Sequence, residues 1–238
     1  MADTHAKNEP AGIRTKLSRS AAAIGPMQWL LQRLRKRERV FERAYVTQAW
    51  GSSESGSGVG SELDATRNLQ AYLPELFNRL AIKTFLDAPC GDWNWMRKVD
   101  LTQVEYIGAD VVSSVITKNT NKYARSNIRF LQADLTKDLL PSADLILCRD
   151  CWVHLSYQDI SAMLENFRRT GANWLLVSDT PSAESNVNKL TGIGWRHINL
   201  SLPPFCFPPP EERRKDHYDF EPIQISLWRL SILPTIKL

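Results

Sequence analysis

The chain has 238 residues, 43% of them hydrophobic and 24% charged, with a formal net charge of +4. That length suits one α/β domain with a large core plus an appendage, and the composition is that of an ordinary globular protein. Residues 1–50 hold ten Lys/Arg against four Asp/Glu, or +6, which leaves the remainder at −2; a near-neutral body argues against a broad nucleic-acid groove.

Residues 1–25 are polar and rich in Ala, Lys and Ser, and read as a disordered basic tail without the apolar run of a signal peptide. From Pro26 to Trp50 the pattern turns helical. Leu30, Leu34, Phe41 and Tyr45 recur at spacings of four and seven, with Arg33, Arg35, Lys36, Arg37, Arg39 and Arg43 between them. Such a helix either docks on the body or a partner, or lies on an anionic membrane surface. No stretch approaches ~18 uninterrupted apolar residues, so no membrane span is expected; membrane-peripheral contact is left open, and buried reduced thiols would suit the cytoplasm. The run GSSESGSGVGS from Gly51 to Ser61 is either a flexible linker or a flap whose glycines let backbone approach a ligand. A helix is expected from Glu62 to Leu80, broken or kinked at Pro74. Residues 26–80 thus form a helical N-terminal unit ahead of a domain over 81–238.

That domain alternates strand and helix. Strands are expected at 83–87, 104–110, 128–134, 144–149 and 174–178, with helices beginning near Trp93 and over 113–124 and 157–170. Ser156 is a good cap for the last of these, and Asp159 complements its dipole. Residues 181–221 read as irregular, because Pro203, Pro204, Pro208, Pro209 and Pro210 oppose regular pairing. A final strand runs from Ile223 to Leu230.

The strand Phe85-Leu86-Asp87 ends in an acid and a tight turn at Gly91. The next strand ends in Asp110, about 20 residues on, the spacing of a nucleoside-binding βαβ unit whose second acid accepts from both ribose hydroxyls. Asp134-Leu135 ends the third strand, where a carboxylate suits an adenine amino group. Trp93 and Trp95 suit either core packing or a cofactor platform. Asp150 and His154 follow strand four, and Asp179-Thr180 ends strand five, all at the sheet edge where open α/β sheets bind ligands. His154, with an ordinary pKa near ~6.5, is suited to take a hydroxyl proton. The stretch from Thr191 to Pro208 makes a stiff loop of Gly, aromatic and Pro residues. It either plugs the core through Phe205 and Phe207 or shapes an acceptor pocket with Trp195, Arg196 and Phe205. Of the four cysteines, Cys148 and Cys151 form a CxxC without a second ligand pair. Buried reduced thiols are expected and no metal.

The ordered set Asp87…Gly91, Asp110, Asp134 and Cys148-Arg149-Asp150-Cys151-Trp152-Val153-His154-Leu155 resembles the class I S-adenosylmethionine (SAM)-dependent methyltransferases over roughly residues 80–180. The resemblance implies a Rossmann-like, seven-stranded, mostly parallel sheet with helices on both faces and an antiparallel C-terminal strand. It implies SAM as cofactor, held by Asp87, Gly91, Trp93, Asp110, Val111, Asp134, Leu135 and Arg149, with Asp150 and His154 facing the reacting methyl. The turn Ala88-Pro89-Cys90 departs from the usual glycine-rich one and bears on the methionine contacts. The layout is similar to small bacterial enzymes that modify glycans or secondary metabolites, which implies a small-molecule or glycan hydroxyl as acceptor. An N-methyltransferase, an enzyme acting on protein or RNA, and a non-catalytic SAM- or nucleoside-binding subunit remain the alternatives.

Overall fold

The computed structural model describes residues 37–216 and 223–238. The expected tail over 1–25, and the part of the basic helix before Arg37, lie outside the described residues. Seven strands form one sheet: β1 (Thr84–Asp87), β2 (Glu105–Asp110), β3 (Ile128–Gln132), β4 (Leu145–Cys148), β5 (Trp174–Asp179), β6 (Glu212–Lys215) and β7 (Gln224–Arg229). Their order is β3-β2-β1-β4-β5-β7-β6. The first five are parallel, and β7 runs antiparallel to both β5 and β6. The order reverses between β1 and β4, where Asp87 lies opposite Leu147. A crevice at the carboxyl ends of the strands at such a switch point is the ligand site of open α/β sheets.

The described helices are α1 (Arg37–Val46), α2 (Arg67–Arg79), α3 (Ser113–Tyr123) and α4 (Tyr157–Arg169). Alternate strand residues feed two cores, one on each face. Leu86, Ile146, Leu175 and Val177 pack with Ile160, Met163, Leu164 and Phe167 of α4. Phe85, Leu145, Leu147 and Leu176 pack with Leu69, Leu73, Leu76 and Phe77 of α2. Ser156 caps α4 as expected, its Oγ accepting from the Asp159 amide at 3.2 Å.

Two expectations need correction, and the structure decides between two pairs of alternatives. The helix expected near Trp93 is only a 3-10 turn over Met96–Lys98. The Asp92 carboxylate accepts from the Asn94 amide at 3.2 Å, and Trp93 sits at φ +60°, so the chain turns where a helix would have started. Of the two alternatives at Pro74, the structure excludes two pieces: α2 is one helix through Pro74, and the buried face around it offsets the lost amide bond. Residues 181–221 are not wholly irregular, because Glu212–Lys215 pairs with β7. This charged ERRK strand lacks an apolar alternation, and its charges suit an edge that must not recruit another strand. Of the two readings of the 191–208 loop, the structure bears out the first: Phe205 and Phe207 plug the core, Phe205 fully buried with its ring 5.3 Å from that of Tyr157.

The described part of the basic helix docks on the body. Arg37 forms ion pairs with Asp134 (2.8 Å) and Asp159 (2.6 Å), Ala44 is fully buried, and Phe41 packs against the α4-side core. Among the described residues no helix is long and apolar enough to cross a membrane.

Candidate active site

A cavity of about 250 Å³ opens at the carboxyl ends of β1–β4. Its inner wall is acidic. Asp87 is 4% exposed and accepts from the Tyr106 hydroxyl at 2.7 Å. Burial pushes its pKa up to about 7, with the Tyr106 bond opposing and Asp110 adding to the rise. Asp110 accepts from the amides of Gly91 (3.2 Å) and Val112 (3.0 Å). Burial again dominates and lifts its pKa to about 6 against those backbone bonds. Two buried acids held close to neutral pH by desolvation are a site short of positive charge. A cationic ligand there would restore their ionised forms.

Gly91 makes the turn possible. Its φ is +56°, and a Cβ there would sit 2.4 Å from Ser57 Oγ. Ser57 belongs to the Gly/Ser-rich loop, and that loop is docked. The Asp92 carboxylate accepts from Ser55 Oγ (3.0 Å), the Gly56 amide (2.7 Å) and Ser57 Oγ (3.2 Å). Gly58 at φ +96° lets the loop pass Trp50, where a Cβ would lie 2.6 Å from that of Trp50. Ser57 to Ser61 line the cavity, the arrangement of a flap and not of a linker.

Asp134 and Leu135 also line the cavity. Asp134 accepts twice on Oδ1, from the Thr136 amide and hydroxyl, and once on Oδ2, from Arg37. A carboxylate offers about four acceptor sites, so one on Oδ2 is left for a ligand. Val111 lies beside Asp110 on the wall. Arg149 lines the cavity and ties three segments together. It donates through Nε to Asp216 (2.8 Å) and through Nη2 to the Gly60 carbonyl (2.8 Å), and pairs with Asp150 at 3.3 Å. Its guanidinium lies 5.6 Å from the Trp95 ring centre.

The opposite wall carries Asp150, His154, Trp50 and Trp195. Asp150 holds φ +48°, a region unusual for a side-chain-bearing residue, and its amide donates to Ser178 Oγ at 2.8 Å. His154 Nδ1 lies 2.9 Å from the Gly194 carbonyl. A carbonyl only accepts, so Nδ1 carries the proton and Nε2 the lone pair. Burial lowers the His154 pKa, and Lys189 and Arg196 lower it further against the Gly194 bond and Asp150, so the ring is neutral at pH 7. The Trp50 ring packs 5.6 Å from His154, and its Nε1 donates to the Ile193 carbonyl at 3.3 Å.

The structure brings Asp87, Gly91, Asp110, Val111, Asp134, Leu135, Arg149, Asp150 and His154 to one cavity. It does not bring Trp93, which is buried among Tyr106, Tyr123 and Phe130; Trp95 lines the cavity in its place. Asp179 is likewise absent from the wall. It holds the Leu200 amide (3.0 Å) and Arg213 (3.2 Å), a structural clamp. Sequence reasoning missed Arg37, Tyr45, Trp50 and Asp92 as site residues. Their only signal was adjacency, to the Gly/Ser-rich run for Trp50 and to Gly91 for Asp92.

An α/β sheet in this order, with acids at successive strand ends around one cavity, forms the ligand crevice that open α/β sheets use for nucleosides. Residues 85–172, from β1 to α4, match the family model described as a methyltransferase domain. No curated protein matches it by sequence. Among solved structures it is similar to the Burkholderia thailandensis 1,6-didemethyltoxoflavin-N1-methyltransferase, with 16% identity over 88% of this chain and 92% of that one and a TM-score of 0.59. It is similar to the magnesium protoporphyrin IX methyltransferase of Synechocystis PCC 6803, with 12% identity over 83% and 98% of the two chains and a TM-score of 0.51. A SAM-dependent methyltransferase of Clostridium acetobutylicum ATCC 824 aligns at 15% identity over 48% of this chain and about half, 51%, of that one, with a TM-score of 0.42. At these identities the likeness is one of fold.

Proposed function

We propose that the protein transfers a methyl group from SAM to a hydroxyl of a small polar or sugar acceptor, with His154 as the base. Bound SAM supplies an electrophilic methyl carbon. The chain supplies the rest. Asp87 and Asp110 offer negative charge and hydrogen-bond acceptors to a cationic nucleoside. Gly91 gives it backbone room, and the Asp92-held flap together with α1 keeps water out. The observation that carries the hydroxyl reading is the His154 tautomer. Its proton is committed to the Gly194 carbonyl, so Nε2 is left to accept the proton that a hydroxyl must lose. Asp150, its charge held by Arg149, orients the acceptor. A neutral amine acceptor would need no such base.

The test is calorimetry with SAM, followed by mass spectrometry of labelled methyl transfer from SAM into a cell extract. The expected product is an O-methyl compound whose formation collapses in His154→Ala. An N-methyl product formed equally well by that variant would overturn the reading.

A further inference from the structure

The first described turn of α1 reaches both walls of the cavity through one side chain. Arg37 lines the cavity. Its Nη1 donates to Asp134 Oδ2 at 2.8 Å and its Nη2 to Asp159 Oδ1 at 2.6 Å. Both carboxylate side chains are only 12% exposed, so solvent and salt screen these pairs less than surface ones. Asp134 belongs to the acidic wall. Asp159 lies in the first turn of α4, and its second oxygen leads toward the base. Asp159 Oδ2 accepts from the Thr191 hydroxyl, whose oxygen in turn accepts from the Ser156 amide at 2.9 Å.

Thr191 opens the stretch that fixes His154. The Gly192 amide donates to the His154 carbonyl at 3.0 Å, and the Gly194 carbonyl accepts from His154 Nδ1 at 2.9 Å. Gly192 and Gly194 have no side chains with which to hold themselves. The turn is held from outside, by Thr191 on Asp159, by Trp50 Nε1 donating to the Ile193 carbonyl at 3.3 Å, and by the flexible Lys189 Nζ donating to the Gly194 carbonyl. The Thr191 bond is made to a buried carboxylate, and charge-assisted bonds are roughly twice as strong as neutral ones. A guanidinium, with its donors in a rigid planar fork, suits the other end of that carboxylate, because it serves two acids at set angles.

We propose that Arg37 is a positioning residue for His154. By holding Asp159 it sets Thr191, and through the turn that follows it keeps the Gly194 carbonyl where that carbonyl selects the Nδ1–H tautomer. The proposal rests on the reading of His154 as the base and deepens it. It gives α1 a function beyond covering the cavity, since the cation that binds Asp134 on one wall also sets the base on the other.

The test is the tautomer itself. Full-length protein labelled with ¹⁵N-histidine is followed by NMR without acceptor, and the His154 signal is assigned by its loss in His154→Gln. Wild type should show a protonated Nδ1 and an unprotonated Nε2. Arg37→Met cuts the chain of contacts at its origin, and Thr191→Val cuts it while leaving Arg37 on both acids. Each should move the tautomer ratio about fivefold or more toward Nε2–H, the scale of one hydrogen bond. The double variant should move it no further than either alone, as expected of residues acting in series. Thr191→Ser, which keeps the hydroxyl, should restore the wild-type ratio. On the identified acceptor, Thr191→Val should lower kcat by about tenfold at unchanged KM for SAM, a loss of positioning. If Arg37→Met does not fold, Arg37→Gln replaces it with the same expectation. A wild-type ratio in the Arg37 or the Thr191→Val variant, shifts that add in the double variant, or no restoration by Thr191→Ser would each overturn the proposal. The ratio is read without turnover, so an active His154→Ala would remove the base and leave the positioning of the ring by Arg37 separately decided.

Discussion

The two walls of the cavity are built on different principles. The proposed cofactor wall consists of strand ends. Asp87 and Asp110 close β1 and β2, Asp134 lies two residues beyond β3, and sheet pairing fixes their spacing. The opposite wall, the proposed acceptor side, is made of loops and is held by side chains. Arg149 reaches Gly60 and Asp216, His154 reaches Gly194, and Trp50 reaches Ile193. Backbone ladders make the first wall a property of the fold. Long-range polar contacts make the second a property of this chain, and loops on a rigid scaffold are where specificity is ordinarily set.

The sharpest way to test that division is to disable one wall and read the other. His154→Ala should lower turnover on the identified acceptor by about 10²-fold or more, the scale of a positioned general base, with SAM affinity nearly unchanged. Asp150→Ala should do likewise through acceptor positioning. Parallel kcat measurement and SAM titration check both. Near-wild-type turnover in the two variants would mean that the loop wall carries no chemistry. Asp110→Ala should have the opposite profile, weakening SAM binding by about 1.5–3 kcal/mol, the loss expected for charge-assisted hydrogen bonds. Unchanged affinity by calorimetry would remove Asp110 from the cofactor wall.

The same division explains what could be read from the sequence. Strand ends and their acids are local signals with a fixed period, and Asp87, Gly91, Asp110 and Asp134 stood out as residues. The bounds of β1 to β5 came within two residues for the same reason. The docking of residues 51–61 was not legible, because nothing in GSSESGSGVGS says that Asp92 will bind it. Trp93 and Trp95 were indistinguishable by type. Only the left-handed backbone at Trp93 sends that ring to the core and leaves Trp95 on the cavity. Asp179 looked like a site acid because it too ends a strand. Its partners Leu200 and Arg213 arrive from a segment with no regular pattern.

The flap joins the two walls, and weakening it should give an intermediate effect. Asp92→Ala removes the acceptor for Ser55, Gly56 and Ser57. Losing those bonds should cost flap docking about 1–2 kcal/mol. Amides of residues 51–61 should then exchange faster with solvent, and SAM should dissociate faster. Unchanged hydrogen exchange over that loop would show that other contacts hold it.

The smallest expected effect is one of pH, and it belongs to the cofactor wall alone. Asp87 and Asp110 have folded-state pKa values of about 7 and about 6, both raised by burial above the ordinary carboxylate value of 3.8. A raised folded pKa means that the folded protein holds protons which the unfolded chain has released. Stability of the ligand-free protein from these two groups is therefore fully present below about pH 4 and is lost as pH rises through about 6 and 7. SAM binding should move the other way. A cationic ligand selects the ionised acids, so affinity should rise over that same window and level off above it, by less than about tenfold per pH unit for each proton released. Calorimetry in buffers of different ionisation enthalpy would count those protons directly. Asp110→Asn should remove the step near pH 6 and move the remaining one to lower pH, because the Asp110 charge contributes to the rise at Asp87. A SAM affinity flat from pH 5 to 8 in the wild type would mean that the bound cation does not sit against these two carboxylates.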